Sequence, residues 1–327
     1  MKSKSVSSAP QFSLANWGAE DKAVKFKNTR QVFKLIDELE KQEVDDDCLF
    51  FTKVSVRDFE LVEKRRSREG RRMKLCHISE IKLMIVQIVT GAHEYVGKRF
   101  ECALYMKLNH MGITQSEFIA SGCTRISWEA TTGQKSKEPD SSFKNVANLY
   151  PHFVVEIGVT ETMERLHTDA KLWISNKRVS LVLIIKIERR TLKMVIEQYI
   201  AIPDTGPSRQ KDVQRESKAL RNGEPININL KTFEISPDFP LVFEFERVVG
   251  RLHKPPLEEE FIVFSEQDLK DLAQKVKLSI QDEISMKEDA RNAVLAKTSE
   301  ATGQDPSSSG TKRKNKSDNS KTKKKRK

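Results

Sequence analysis

The sequence predicts an α/β fold, and three observations predict it. Residues 153–157 (FVVEI) and 179–187 (VSLVLIIKI) are nearly continuous apolar, β-branched runs, the pattern of strands buried on both faces. Between them Met163, Leu166, Ala170, Trp173 and Ile174 form one apolar stripe at helical spacing. Finally, Glu156 stands inside the first run, where an unpaired charge is expensive. Together these residues specify a strand–helix–strand unit inside a sheet, with a carboxylate that needs a reason.

That reason is sought upstream, at Pro139-Asp140. In an antiparallel hairpin, facing residues have numbers that sum to a constant. If Asp140 faces Glu156, the turn centres on Asn148, within Asn148-Leu149-Tyr150-Pro151, whose Asn and Pro suit a turn. Alternation then places Glu156 with Val154 and His152, and Phe153, Val155 and Ile157 on the opposite face. Two carboxylates at one end of a sheet suit a hard divalent cation such as Mg²⁺. The same spacing also fits a plain hairpin with an incidental Asp in the preceding loop and an edge-facing Glu.

Three short stretches carry a resemblance. They are Lys137-Glu138-Pro139-Asp140-Ser141-Ser142-Phe143, then Tyr150-Pro151 with Glu156-Ile157-Gly158 and Glu161, then Leu166, Asp169-Ala170 and Trp173. Together they resemble the PD-(D/E)XK nuclease superfamily, in its restriction-endonuclease-like branch common among uncharacterised fungal proteins. Gly91-Ala92-His93-Glu94 resembles the start of that family's first core helix, and the likeness covers about residues 81–200. It implies a mixed central sheet flanked by helices. It implies a Mg²⁺ (or Mn²⁺) ion held by Asp140, Glu156 and the Ile157 carbonyl, with Glu94 adding a water-mediated or outer contact. The lysine expected two residues after the acid is replaced by Gly158. Lys171, on the following helix with Glu164 and His167 along one flank, is the candidate for a migrated lysine; a solvated helix lysine reads equally well. Two functions follow: a metal-dependent nuclease cleaving DNA, or a catalytically silent nuclease-like module that binds nucleic acid or a protein partner.

Taken in order, residues 1–27 are polar and Ser-rich, expected disordered or loosely attached, and residues 28–80 form a mixed N-terminal extension. Asn28 suits the cap of a helix carrying Val32, Phe33, Leu35, Ile36 and Leu39. An acidic turn, Asp45-Asp46-Asp47, and a strand near 49–56 follow. Residues 64–74 hold seven basic residues and one acid, either a phosphate contact or a solvated loop. The nuclease-like domain is expected over 81–288. It opens with one buried element at 78–90. Next come an amphipathic helix at 93–111 stopped by Gly112, and a strand over 117–130 broken near Gly122. Beyond the central unit lie a strand at 194–202, a polar surface insertion at 203–225, and strands at 226–230 and 241–248. Ser265 to Asp268 resembles a capping box for a docking helix ending near Lys287.

Residues 289–327 are expected to be a disordered tail, with no apolar content from Thr298 onward. The chain has 58 Lys+Arg against 47 Asp+Glu, yet ten of those basic residues and a single acid lie in 311–327. The rest is therefore nearly neutral. Lys312-Arg313-Lys314 and Lys323-Lys324-Lys325-Arg326-Lys327 are two basic clusters with a polar spacer. They read as a bipartite nuclear import signal bound by an import receptor, or as a generic polybasic tail for nucleic acid. The first residues lack the apolar core of a secretory signal. No apolar run is long enough to span a membrane. The four cysteines are far apart, which predicts free thiols in a reducing compartment; Cys76-His77 lacks the second pair a zinc site needs. There is no nucleotide-binding glycine loop or serine-hydrolase elbow.

Overall fold

A computed structural model describes residues 12–41, 48–89, 91–130, 133–202, 218–237, 240–253 and 260–302. The chain divides into Met1–Glu283 and Ile284–Lys327. The described part of the second unit is helical, 284–302. The basic clusters at 312–314 and 323–327 and the triplet Asp45 to Asp47 lie outside the described residues.

The first unit begins with a short 3-10 turn, Leu14–Trp17, then β1 (Val24–Lys25), α1 (Thr29–Lys41), β2 (Cys48–Thr52), α2 (Val56–Glu69), β3 (Met73–Ile78) and β4 (Leu83–Ile88). Asn28 caps α1 as expected, its side-chain oxygen accepting the Gln31 N–H at 3.0 Å. The basic stretch 64–74 is not a loop: α2 runs through most of it and β3 begins at Met73. A reciprocal capping pair between Ser55 and Asp58 starts that helix, satisfying amide N–H groups that otherwise have no partner. The element expected at 78–90 is the second half of a hairpin, because Lys82 takes a left-handed conformation and turns the chain back.

Next come α3 (Gly91–His110), β5 (Phe118–Ala120), β6 (Ile126–Ala130), β7 (Gly133–Lys137), β8 (Ser141–Asn145), β9 (Phe153–Gly158), α4 (Met163–Ile174), β10 (Leu181–Glu188) and β11 (Lys193–Ile202). Gly112 stops α3 with φ +76°. β12 (Lys218–Asn229), β13 (Ile235–Ser236), β14 (Leu241–Glu244), α5 (Phe245–Val249), β15 (Phe261–Phe264) and α6 (Glu266–Thr302) complete the order. The residues from 218 that were expected in an insertion instead extend β12 along β11; outer-strand pairing uses main-chain groups and needs little apolar sequence. The expected strand 241–248 becomes helical at Phe245. The Ser265–Asp268 box does start α6, Ser265 N–H donating to Asp268 at 2.7 Å, but the helix passes Lys287 to Thr302.

Two mixed sheets result. One is ordered β1-β2-β4-β3-β7-β6, the other β13-β12-β11-β10-β9-β8-β5, and a small β14-β15 ribbon accompanies them. The strand–helix–strand reading holds: β9 and β10 are parallel neighbours joined by α4. The expected strand at 117–130 is divided between the sheets, β5 edging the second and β6 the first. The boundary expected at 80/81 falls in the turn joining β3 to β4, so the N-terminal extension and the later strands share one sheet.

The layers follow from strand alternation. Phe153, Val155 and Ile157 of β9 join a core with α3, α6 and the ribbon, whereas Val154 faces α4 and the first sheet. A third cluster packs α1 and α2 on the outer face of the first sheet. Residues 12–27, expected to be loosely attached, are anchored. Phe12, Trp17 and Ala19 are buried in the cluster around α4, and an aromatic anchor of this size outweighs a polar sequence context.

Candidate functional site

The site is made where the chain passes from one sheet to the other. Lys137 is the last residue of β7 in the first sheet, and Ser141 is the first of β8 in the second. Pro139 lies between them, without an N–H to continue a ladder. Ser141 faces Val155 and Phe143 faces Phe153, so the register deduced for the hairpin is the one formed. Carried one residue further, it sets Asp140 opposite Glu156.

Asp140 is tied down at both oxygens. Oδ2 accepts the Ile157 N–H at 2.8 Å, and Oδ1 meets the ammonium of Lys74 from β3. Glu156, 3% exposed, is likewise engaged: Oε1 accepts the Trp173 indole N–H and Oε2 lies 3.1 Å from Lys137 Nζ. Lys137 Nζ is also 3.4 Å from Asp169 Oδ2, and the other Asp169 oxygen accepts the Trp17 indole N–H at 3.3 Å. Three carboxylates and two ammonium groups thus meet between the sheets. Burial opposes charge on Lys137, but Asp169 and Glu156 outweigh it and raise its pKa, so it stays an ammonium. Burial pushes the Glu156 carboxyl up; Lys137 opposes this, while Asp140 and Asp169 add to it.

A second polar cluster forms around Glu161, just before α4. Glu161 accepts the Val159 N–H at 2.9 Å, contacts the Gln87 amide and lies 3.4 Å from His93 Nε2. Burial alone would raise Glu161, but His93 and Arg165 hold it below the usual carboxylate range. Beside Asp140 a cavity of about 750 Å³ opens, bordered by Arg66, Arg72, Lys74, Lys98 and Arg125, each paired with an acid, respectively Glu138, Glu94, Asp140, Glu101 and Glu63.

Of the residues singled out from sequence, the structure brings together Asp140, Glu156 and Ile157. Glu94 lies apart from them at the cavity rim, paired with Arg72. Lys171 is a correction. It is exposed on α4, because the apolar stripe and Asp169 take the buried side of that helix. Nor can the usual position be filled: a Cβ on Gly158 would lie 2.4 Å from Leu166 Cδ1. The ammonium groups come instead from Lys137 and Lys74, which the sequence reading did not assign. Lys137 was within reach, three residues before Asp140 at a proline-interrupted strand end, whereas Lys74 closed a basic run with nothing to single it out. Lys186 lies beside Gly158 in register and donates to the Val159 carbonyl at 2.9 Å. Cys76 is buried, its thiol pushed up to about 12 by desolvation. His77 bonds the Val54 carbonyl at 3.1 Å, so this pair is structural.

Among the described residues, no group of three or more His, Cys, Asp and Glu is placed to hold a metal ion. No family model and no curated protein matches the chain. Among solved structures it is similar to a protein from Anabaena variabilis, provisionally described as a nuclease belonging to DUF820. The two share 13% identity over 61% of this chain and 90% of that one, with a TM-score of 0.32.

Proposed function

We propose that the chain is a nuclease-like enzyme that hydrolyses phosphodiester bonds in DNA with the help of Mg²⁺ or Mn²⁺. The observation that carries this reading is the meeting of Asp140 and Glu156 on facing positions of adjacent strands, with an ammonium group on each. The donor set suits a hard cation. Mg²⁺ commonly takes only one or two protein carboxylates and fills its shell with water and substrate phosphate, so a third acidic ligand is not required. Asp140 and Glu156 would hold the ion, with the Ile157 carbonyl beside them. When bound, such an ion supplies Lewis-acid polarisation of a phosphate oxygen and makes a water more acidic.

The chain's own residues do the rest. Trp173 and Lys137 fix the Glu156 carboxylate from two directions, and the Ile157 N–H fixes Asp140. Such pre-set polar groups cost no reorganisation during reaction. Lys137 also keeps Glu156 and Asp169 from repelling one another, as Lys74 offsets Asp140. At the rim of the cavity beside Asp140, the exposed Arg72 and Lys98 would exchange their partners Glu94 and Glu101 for a phosphate backbone.

A second reading, a silent module that binds nucleic acid, is favoured by one specific feature. Every oxygen of Asp140 and Glu156 already accepts from a protein donor. A cleavage assay separates the two. Purified protein should nick DNA with Mg²⁺ or Mn²⁺ and stop on chelation. Asp140→Asn and Glu156→Gln should each abolish cleavage with circular dichroism unchanged, and Lys171→Ala should cleave like wild type. DNA binding without cleavage under any metal would decide for the silent module. We also infer, from the basic clusters alone, a nuclear address through an import receptor.

A further inference from the structure

We propose that Lys74 is a displaceable internal cation: it occupies Asp140 while the site is empty and turns into the adjacent cavity to hold a substrate phosphate once a divalent ion takes Asp140. The inference rests on the metal-dependent reading above and assigns a role to a residue outside the nuclease-like stretches.

The two ammonium groups of the site are placed differently. Lys137 is held by two carboxylates, lies 5.8 Å from the centre of the Trp173 ring, and borders a crevice of about 10 Å³ that Lys74 also borders. Lys74 reaches Asp140 from β3 of the other sheet, its ammonium meeting Oδ1, the oxygen that Ile157 leaves unused, and it also acts electrostatically on Glu156. Lys74 and Asp140 both border the cavity of about 750 Å³, and Arg72 and Lys98 stand at its rim, paired with Glu94 and Glu101 but with side chains 68% and 70% exposed.

An ammonium and a divalent ion compete for one carboxylate, because like charges at such range repel strongly in a partly buried site. Displaced Lys74 keeps its charge and finds the cavity beside it, where a phosphate supplies the anion it has lost. A lysine suits that exchange. Its ammonium is a compact charge on a four-carbon stem that can swing, unlike the planar, bidentate arginine fork.

The test uses the full chain and two readouts of opposite sign. Titration calorimetry with Mn²⁺ alone should show Lys74→Met binding the metal about tenfold more tightly than wild type, since its competitor is gone. Fluorescence anisotropy with a labelled single-stranded oligodeoxynucleotide in Ca²⁺ should show the same variant binding the strand about fivefold more weakly, the loss of one phosphate contact. Unchanged or weaker Mn²⁺ affinity, or unchanged oligonucleotide affinity, overturns the proposal. Should Lys74→Met fail to fold, reductively methylated wild type serves. Its Lys74 dimethylamine resonance, assigned by its absence from Lys74→Arg, should shift on adding Mg²⁺ and again on adding the oligonucleotide; a resonance that moves with neither overturns it. These outcomes separate from those of the cleavage reading. Opposed shifts in an inactive protein sink cleavage and leave Lys74 its role, whereas a cleaving wild type with unaltered metal affinity in Lys74→Met does the reverse.

Discussion

Lys137 holds the polar centre together, and removing it has a different signature from removing Lys74. Its ammonium is enclosed with Glu156 and Asp169, 3% and 5% exposed, so truncation leaves two carboxylates buried without their partner. Breaking a buried pair from one side costs about 3–5 kcal/mol. Lys137→Met should therefore lower stability by that amount in urea denaturation, whereas exposed Lys171→Ala should stay within about 0.5 kcal/mol. Equal, small effects would mean that Lys137 is not the linchpin. The facing of Asp140 and Glu156 was legible beforehand because an antiparallel hairpin fixes its partners by arithmetic, and the observed register Ser141 to Val155 obeys it. Lys74 was not legible. A side chain that enters a site from another sheet leaves no periodic trace in the sequence around that site.

At the scale of elements, the helix α4 decides what the neighbouring strand can carry. Leu166 is 1% exposed and lies where a side chain at Gly158 would grow. Restoring a lysine there is therefore not a route to a better site. Gly158→Ala should cost about 1–3 kcal/mol through overpacking, Gly158→Lys more. Pairing Gly158→Ala with Leu166→Ala should cost less than the sum of the two, because the second change opens room for the first; additive losses would refute the clash. The strand–helix–strand unit itself was readable, since strands covered on both faces must be apolar throughout. The N-terminal segment and the start of β12 were misread for a shared reason. Trp17 and the Asn16 carbonyl are anchored by Asp169 and Thr168, each 152 residues away, and the residues from 218 are ordered by pairing with β11. Such non-local ordering does not show in local composition.

Across the whole molecule, the sequence suggested one central sheet with an appendage, whereas the described residues form two mixed sheets that meet at the polar centre, besides the β14-β15 ribbon. Nothing in β3 or β7 alone announces which sheet it joins, because β3 is buried throughout and β7 is buried over its last three residues. Charge is concentrated in one stretch of the sequence: residues 311–327 carry ten basic residues and one acid, nearly the whole excess of the chain. Two functions of that segment can be told apart by experiment. If it is read by an import receptor, deleting residues 312–327 from a fluorescent fusion should release nuclear fluorescence into the cytoplasm. Replacing only 323–327 should suffice, because a bipartite signal needs both clusters. If it also adds nonspecific affinity, the deletion should flatten the dependence of DNA binding on salt, since fewer phosphates are neutralised and fewer counterions released. Retained nuclear accumulation after the full deletion would end the import reading. An unchanged salt slope would place the phosphate contacts in the body, and the basic residues bordering the cavity beside Asp140 would then be the ones to reverse in charge.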